Sequence, residues 1–164
     1  MPEFATCSFA EYRNEMGGIP VRTANGVPKF KLGFAPGHGS LLPTLPSTFP
    51  KWPLVQAARK GMPGDEFHAA YREGLDRVGI EQVLSEAEQI SQQADYWSRV
   101  LGREVTADSP LVLLCYEQLH KPGEFCHRSE FARWVTERTQ QATVELGRVR
   151  HPEIAAETQQ EGLF

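Results

Sequence analysis

The chain has 164 residues, a formal net charge of −4 and three cysteines. Its length favours one domain around one core, and the odd cysteine count argues against a disulfide framework and for a reducing, cytoplasmic setting. The mildly acidic balance argues against a broad basic face for nucleic acid, though not against a small basic pocket; no membrane span, which needs about 18 apolar residues, and no secretion signal are expected.

Residues 5–9 and 19–23 read as short strands, with Gly17 and Gly18 marking the turn between them. Over residues 28–63 prolines recur, with Pro36, Pro43, Pro46, Pro50 and Pro53 set among Gly33, Gly37 and Gly39. That density predicts no helix of any length there. The same stretch holds Phe30, Phe34, Leu41, Leu42, Phe49 and Trp52, more large apolar groups than a disordered linker carries. An ordered, functional loop packed over the domain is therefore expected.

Asp65 reads as the N-cap of a helix whose apolar positions are Phe67, Tyr71, Leu75 and Val78, and Gly79 stops it. From Ile80 to Leu101 a single apolar stripe recurs about every 3.6 residues and predicts one long helix. Residues 111–116 look like a fully buried strand, 129–138 a third main helix and 142–146 a short strand. The polar residues 151–164 read as a tail or short surface helix. Strands separated by helices predict an α/β fold: a Rossmann-like, three-layer sheet with helices on both faces, formed by a single domain over residues 1–150. Ligands of such sheets bind beyond the carboxyl ends of the strands, and the loop after Cys115 leaves one of those ends.

That loop is rich in reactive groups. Cys126-His127-Arg128-Ser129 opens a predicted helix, where unpaired N–H groups and the dipole favour an anion and Arg128 can add a bidentate clamp. A cysteine there gains thiolate character from His127 and Arg128. The same residues fit equally a plain Ser129 N-cap beside a small apolar Cys126. Cys115, next to Tyr116 and Glu117, reads either as a core cysteine or as the nucleophile of a rhodanese-like thiol enzyme. The loop from Cys115 to Arg128 is about twice as long as the cradle of those enzymes, and it lacks their glycine spacing. Cys115, His120, Cys126 and His127 are zinc-type ligands. No metal or other cofactor is expected, because no C-x-x-C is present and adjacent Cys126 and His127 rarely both reach one tetrahedral ion.

The run "LLCYE", a short loop, then "CHR" and an aromatic-rich helix resembles the domain of unknown function 488 family. "ATCSF" at residues 5–9, the arginines Arg13 and Arg22 and "TVEL" at 143–146 extend the likeness, and "VPKFKLGFAP" resembles a divergent, phage- and actinobacterial-type branch. The resemblance implies a Rossmann-like fold. It marks Cys115, Glu117, Cys126, His127 and Arg128 as members of the pattern without assigning their roles. By association it points to modified bases or nucleotides, and so to DNA modification.

The expected site is a pocket at the strand ends that takes a nucleotide or nucleic-acid base, DNA included, for hydrolysis or transfer. Glu117 would be the general base, and His127 or Arg128 would stabilise charge, with Cys115 and Cys126 alongside. Ser8, Arg13, Arg22, Lys29 and Arg128 would contact the ligand, and Phe30 and Tyr116, with Phe34 and Trp52, would offer stacking faces. The alternatives are a non-catalytic nucleotide or anion sensor and a rhodanese-like thiol enzyme.

Overall fold

Apolar residues crowd two short runs of the chain, "FATCS" and "LVLLC", and both are buried at every position. Only a strand covered on both faces accommodates that pattern. In the computed structural model, which describes residues 1–148, these are β1 (Phe4–Ser8) and β3 (Leu111–Cys115). They pair in parallel at the centre of a four-stranded sheet with β2 (Ile19–Arg22) and β4 (Val144–Glu145) at its edges, in the order β2-β3-β1-β4. The fold is Rossmann-like α/β, with α1 (Trp52–Arg59), α2 (Gly64–Val78), α3 (Ile80–Ser91), α4 (Ala94–Leu101) and α5 (His127–Thr139). The tail predicted at 151–164 lies outside the described residues.

The period of two assigns the faces. Phe4 of β1 meets Phe131 of α5 edge-on at 5.5 Å, so Thr6, Ser8, Leu113 and Cys115 share the α5 face by register. Cys7, Phe9, Val112 and Leu114 point the other way. There the proline-rich segment supplies Phe34, edge-on to Tyr12 at 4.6 Å. Arg103, just past α4, donates to Tyr12 Oη and to the Gly18 carbonyl. Gly18 has φ of +75°, and a Cβ there would sit 2.6 Å from both Pro110 O and Val112 Cγ2, so no side chain fits where the turn brushes β3.

The proline-rich segment is ordered. Leu32, Phe34, Leu42 and Leu45 are buried, Arg22 N–H donates to Pro43 O at 2.9 Å, and Thr44 bridges Arg22 beside the sheet edge. Burial of these side chains, each contributing about 1.5–3 kcal/mol, and the hydrogen bonds to β2 oppose the entropy cost of ordering the segment. One expectation fails here: α1 is a helix inside residues 28–63. Pro53 lies in its first turn, where the missing N–H has no partner to lose and the fixed φ is already helical.

Two helix boundaries also differ. α2 begins at Gly64 with Pro63 at the N-cap, so Asp65 sits in the first turn and acts through the dipole instead of capping. The stripe from Ile80 to Leu101 is two helices, parted at Gln92 and Gln93, where the Ile90 carbonyl accepts from the Gln93 N–H and from the Trp97 indole N–H, both at 3.1 Å. The connections from β1 and β3 leave toward opposite edges of the sheet, so the carboxyl ends of these neighbouring strands flank a topological switch point.

Candidate functional site

Ser8 and Cys115 are register partners at that switch point. The loop after Cys115 returns as α5, whose N-cap position is Cys126 and whose first residue is His127. Cys126 is extended, with φ −146° and ψ 146°, and His127 is already helical. The change of backbone conformation brings two neighbouring side chains to one side, and both meet Cys115. His127 Nδ1 lies 3.6 Å from Cys115 Sγ and 3.7 Å from Cys126 Sγ. Cys115 Sγ donates to Glu117 Oε2 at 2.9 Å. The three cysteines of the chain are free thiols.

Residues distant in sequence complete the setting. His127 Nε2 faces Thr23 Oγ1 at 3.3 Å, and that hydroxyl donates to the Leu114 carbonyl at 3.0 Å. The Thr23 oxygen is thus left as an acceptor, which places a proton on Nε2 and turns Nδ1 to the sulfurs. Tyr71 of α2 packs edge-on against the imidazole at 5.3 Å, and its hydroxyl donates to Thr48 O. His68 Nε2 lies 3.1 Å from the Cys126 carbonyl.

Burial sets the protonation states. It pushes the Glu117 carboxyl up to about 7, assisted by the charge of Cys126. It raises Cys115 well above a free thiol, with Cys126 adding to the effect. Burial alone would raise Cys126 too, but the hydrogen bond from Cys115 and the charges of His127 and Arg128 outweigh it, so this thiol is held well below its ordinary value. His127 shows the converse balance: burial disfavours the imidazolium and the Cys126 thiolate more than restores it.

Of the predicted site residues, Cys115, Glu117, Cys126 and His127 converge, with Ser8 and Tyr116 at the rim. Ser8 Oγ donates to Glu11 Oε2 at 2.8 Å. Tyr116 leans on Phe9 at 5.2 Å and remains 39% exposed, a ring open to solvent beside the cluster.

The other predicted contacts have different surroundings. Arg128 is fully buried, with Nε 3.0 Å from Glu145 Oε2 and Nη1 2.6 Å from the Glu117 carbonyl, so its fork holds the protein together and is not open to an anion. Arg22 donates to Ala24 O at 2.7 Å and lies over the Phe49 ring. Arg13 is exposed and donates to the carbonyls of Ala10 and Tyr12. Lys29 and Phe30 are exposed on the proline-rich segment, without a hydrogen bond or aromatic partner among the described residues. Phe34 is buried against Tyr12 and offers no stacking face, and Trp52 pairs with Arg59. Ser129 is inside α5 and not its N-cap.

Thr23, His68, Tyr71 and Glu145 were missed. Thr23 had a usable signal: it follows β2 directly, at the same end of the sheet as Cys115. No family model, curated protein or solved structure matches the chain. No helix among the described residues is long and apolar enough to cross a membrane.

Proposed function

We propose that the protein is an enzyme acting on a nucleotide or nucleic-acid base by hydrolysis or group transfer, at the carboxyl ends of β1 and β3. The observation that carries this reading is the convergence of a carboxylate, an imidazole and two sulfurs at the switch point, the place where α/β sheets bind ligands. Glu117 accepts the proton of the attacking nucleophile. His127 balances negative charge as it develops. The exposed Tyr116 ring is the stacking face for a base. The likeness of Cys115-x-Glu117 and Cys126-His127-Arg128 to the domain of unknown function 488 family supports the same residues. A panel of nucleosides, nucleotides and single-stranded oligonucleotides, assayed for binding and turnover, tests it. Glu117→Gln should bind normally and turn over about 100-fold or more slowly; unchanged turnover overturns the assignment.

A thiol enzyme is the second reading. Cys126 sits at the start of α5 beside His127 and Arg128, a setting that favours thiolate. Rapid alkylation of Cys126 by iodoacetamide in the native protein, with loss of turnover, would favour it over a carboxylate-driven reaction.

A further inference from the structure

The sulfurs of Cys115 and Cys126 and the Nδ1 atom of His127 form a buried triangle in which every pair lies within 4.8 Å. The two nitrogen–sulfur edges are 3.6 and 3.7 Å. Zinc holds thiolate sulfur at about 2.3 Å and imidazole nitrogen at about 2.0–2.1 Å, and tetrahedral angles then separate nitrogen from sulfur by about 3.6 Å. The two nitrogen–sulfur edges already have the length they take around a tetrahedral zinc.

The surroundings match that chemistry. The two sulfurs and the imidazole are each less than 5% exposed. Thr23 receives the Nε2 proton while its own hydroxyl is fixed on Leu114 O, the outer-shell bond that metal-bound imidazoles make. Glu117 flanks the triangle on the Cys115 side, where its Oε2 accepts from Cys115 Sγ at 2.9 Å. The expectation that neighbouring Cys126 and His127 do not share an ion assumes a uniform backbone, and the extended-to-helical switch between them removes that obstacle.

We propose that Cys115, Cys126 and His127 bind one thiophilic divalent cation of the zinc class, with an open fourth position beside Glu117. Three protein ligands and one open position are the mark of a catalytic zinc rather than a structural one. The ion's task, polarising a water whose proton passes to Glu117, rests on the hydrolytic reading above; its binding does not. Binding releases to solvent the protons held among the two sulfurs and the imidazole Nδ1, and changes no oxidation state.

Metal titration of the reduced full chain tests the proposal. Stripped protein should take up one equivalent of Zn2+ by elemental analysis. Co2+ should give sulfur-to-cobalt charge-transfer absorption with tetrahedral d–d bands, bleached by an equivalent of zinc. Cys115→Ser and Cys126→Ser should each reduce the charge-transfer intensity by about half, as expected if two thiolates are bound. Thr23→Val should keep the spectrum and weaken zinc by about 10–100-fold. Absence of a charge-transfer band in the wild-type chain at micromolar cobalt overturns the site. So does a band that survives in the Cys115→Ser/Cys126→Ser double variant. If the serine variants do not fold, the wild-type titration and Thr23→Val decide the matter. Metal bound without turnover on the nucleotide panel would sink the hydrolytic reading and leave the site standing. Undiminished turnover by fully stripped protein would overturn the ion's task.

Discussion

Arg128 and Glu145 form an ion pair in which the guanidinium has no solvent contact and the carboxylate is only 16% exposed, with Nε 3.0 Å from Oε2. Thr6 Oγ1 donates to the same carboxylate at 2.7 Å. The pair therefore pins α5 to β4 and, through Thr6, to the central strand β1. Burial disfavours the charged guanidinium, yet the negative charges around it raise Arg128 above its ordinary value, so it stays protonated at any working pH.

Arg128→Ala should lower stability by about 3–5 kcal/mol, because it strands Glu145 in a largely buried place. Arg128→Lys should lose about 1–3 kcal/mol, keeping the charge but not the planar fork that reaches Glu145 and the Glu117 carbonyl together. Urea titration of both variants measures this. A loss under about 1 kcal/mol for the alanine variant would return Arg128 to an anion-binding role.

Phe34→Ala should cost about 3–4 kcal/mol, since it removes a buried aromatic from against Tyr12. In the native protein, trypsin should nick the segment at the exposed Lys29, Lys31 and Lys51, while residues 42–50 resist chymotrypsin. Rapid chymotryptic cutting at Leu42 or Phe49 would contradict an ordered cover.

Cys7 should resist alkylation in the folded state and react on denaturation. It is fully buried in β1, and burial, with the charge of Glu145 next, pushes its thiol up to about 12. Native and urea-unfolded samples treated with iodoacetamide at about pH 8, below the ordinary thiol value, and read by mass spectrometry give the answer. Modification of Cys7 in the native sample would mean that β1 opens locally.

Glu11 should contribute to the acid limb of stability. Burial raises its carboxyl, but hydrogen bonds from Ser8 and Arg148 outweigh that and hold it below its ordinary value. A folded value below the unfolded one means the contribution is present above the unfolded value and fades as pH falls through the folded one. Glu11→Gln should flatten the loss of stability between about pH 5 and 3, as measured by urea midpoints against pH. An unchanged slope would assign the acid sensitivity to other carboxylates.

The loop chemistry was legible because it is local: Cys115, Glu117, Cys126 and His127 lie within one turn-back from strand to helix, and strand and helix patterns place both ends. The role of Arg128 was not legible. Its partner sits 17 residues on, in a two-residue strand whose docking beside β1 leaves no trace in periodicity. Thr23 and Tyr71 likewise reach His127 from other elements, through sheet register and helix packing that only the assembled fold defines. Among the local patterns, α1 was hidden by Pro53, because a proline count does not distinguish the first turn from the interior.

The pairing order also dictates when the site comes into being. Among the described residues, β1 bonds only with β3 and β4, and β2 only with β3 and the bridge at Thr44. During synthesis the first strand waits for more than 100 residues before a strand partner leaves the ribosome, some seconds at about 5–20 residues per second. Such long-range parallel closure makes for slow folding. In that interval "FATCS" and "IPVR" are unpaired strands, and the cysteine-histidine cluster forms only in the last act, when α5 settles on the sheet.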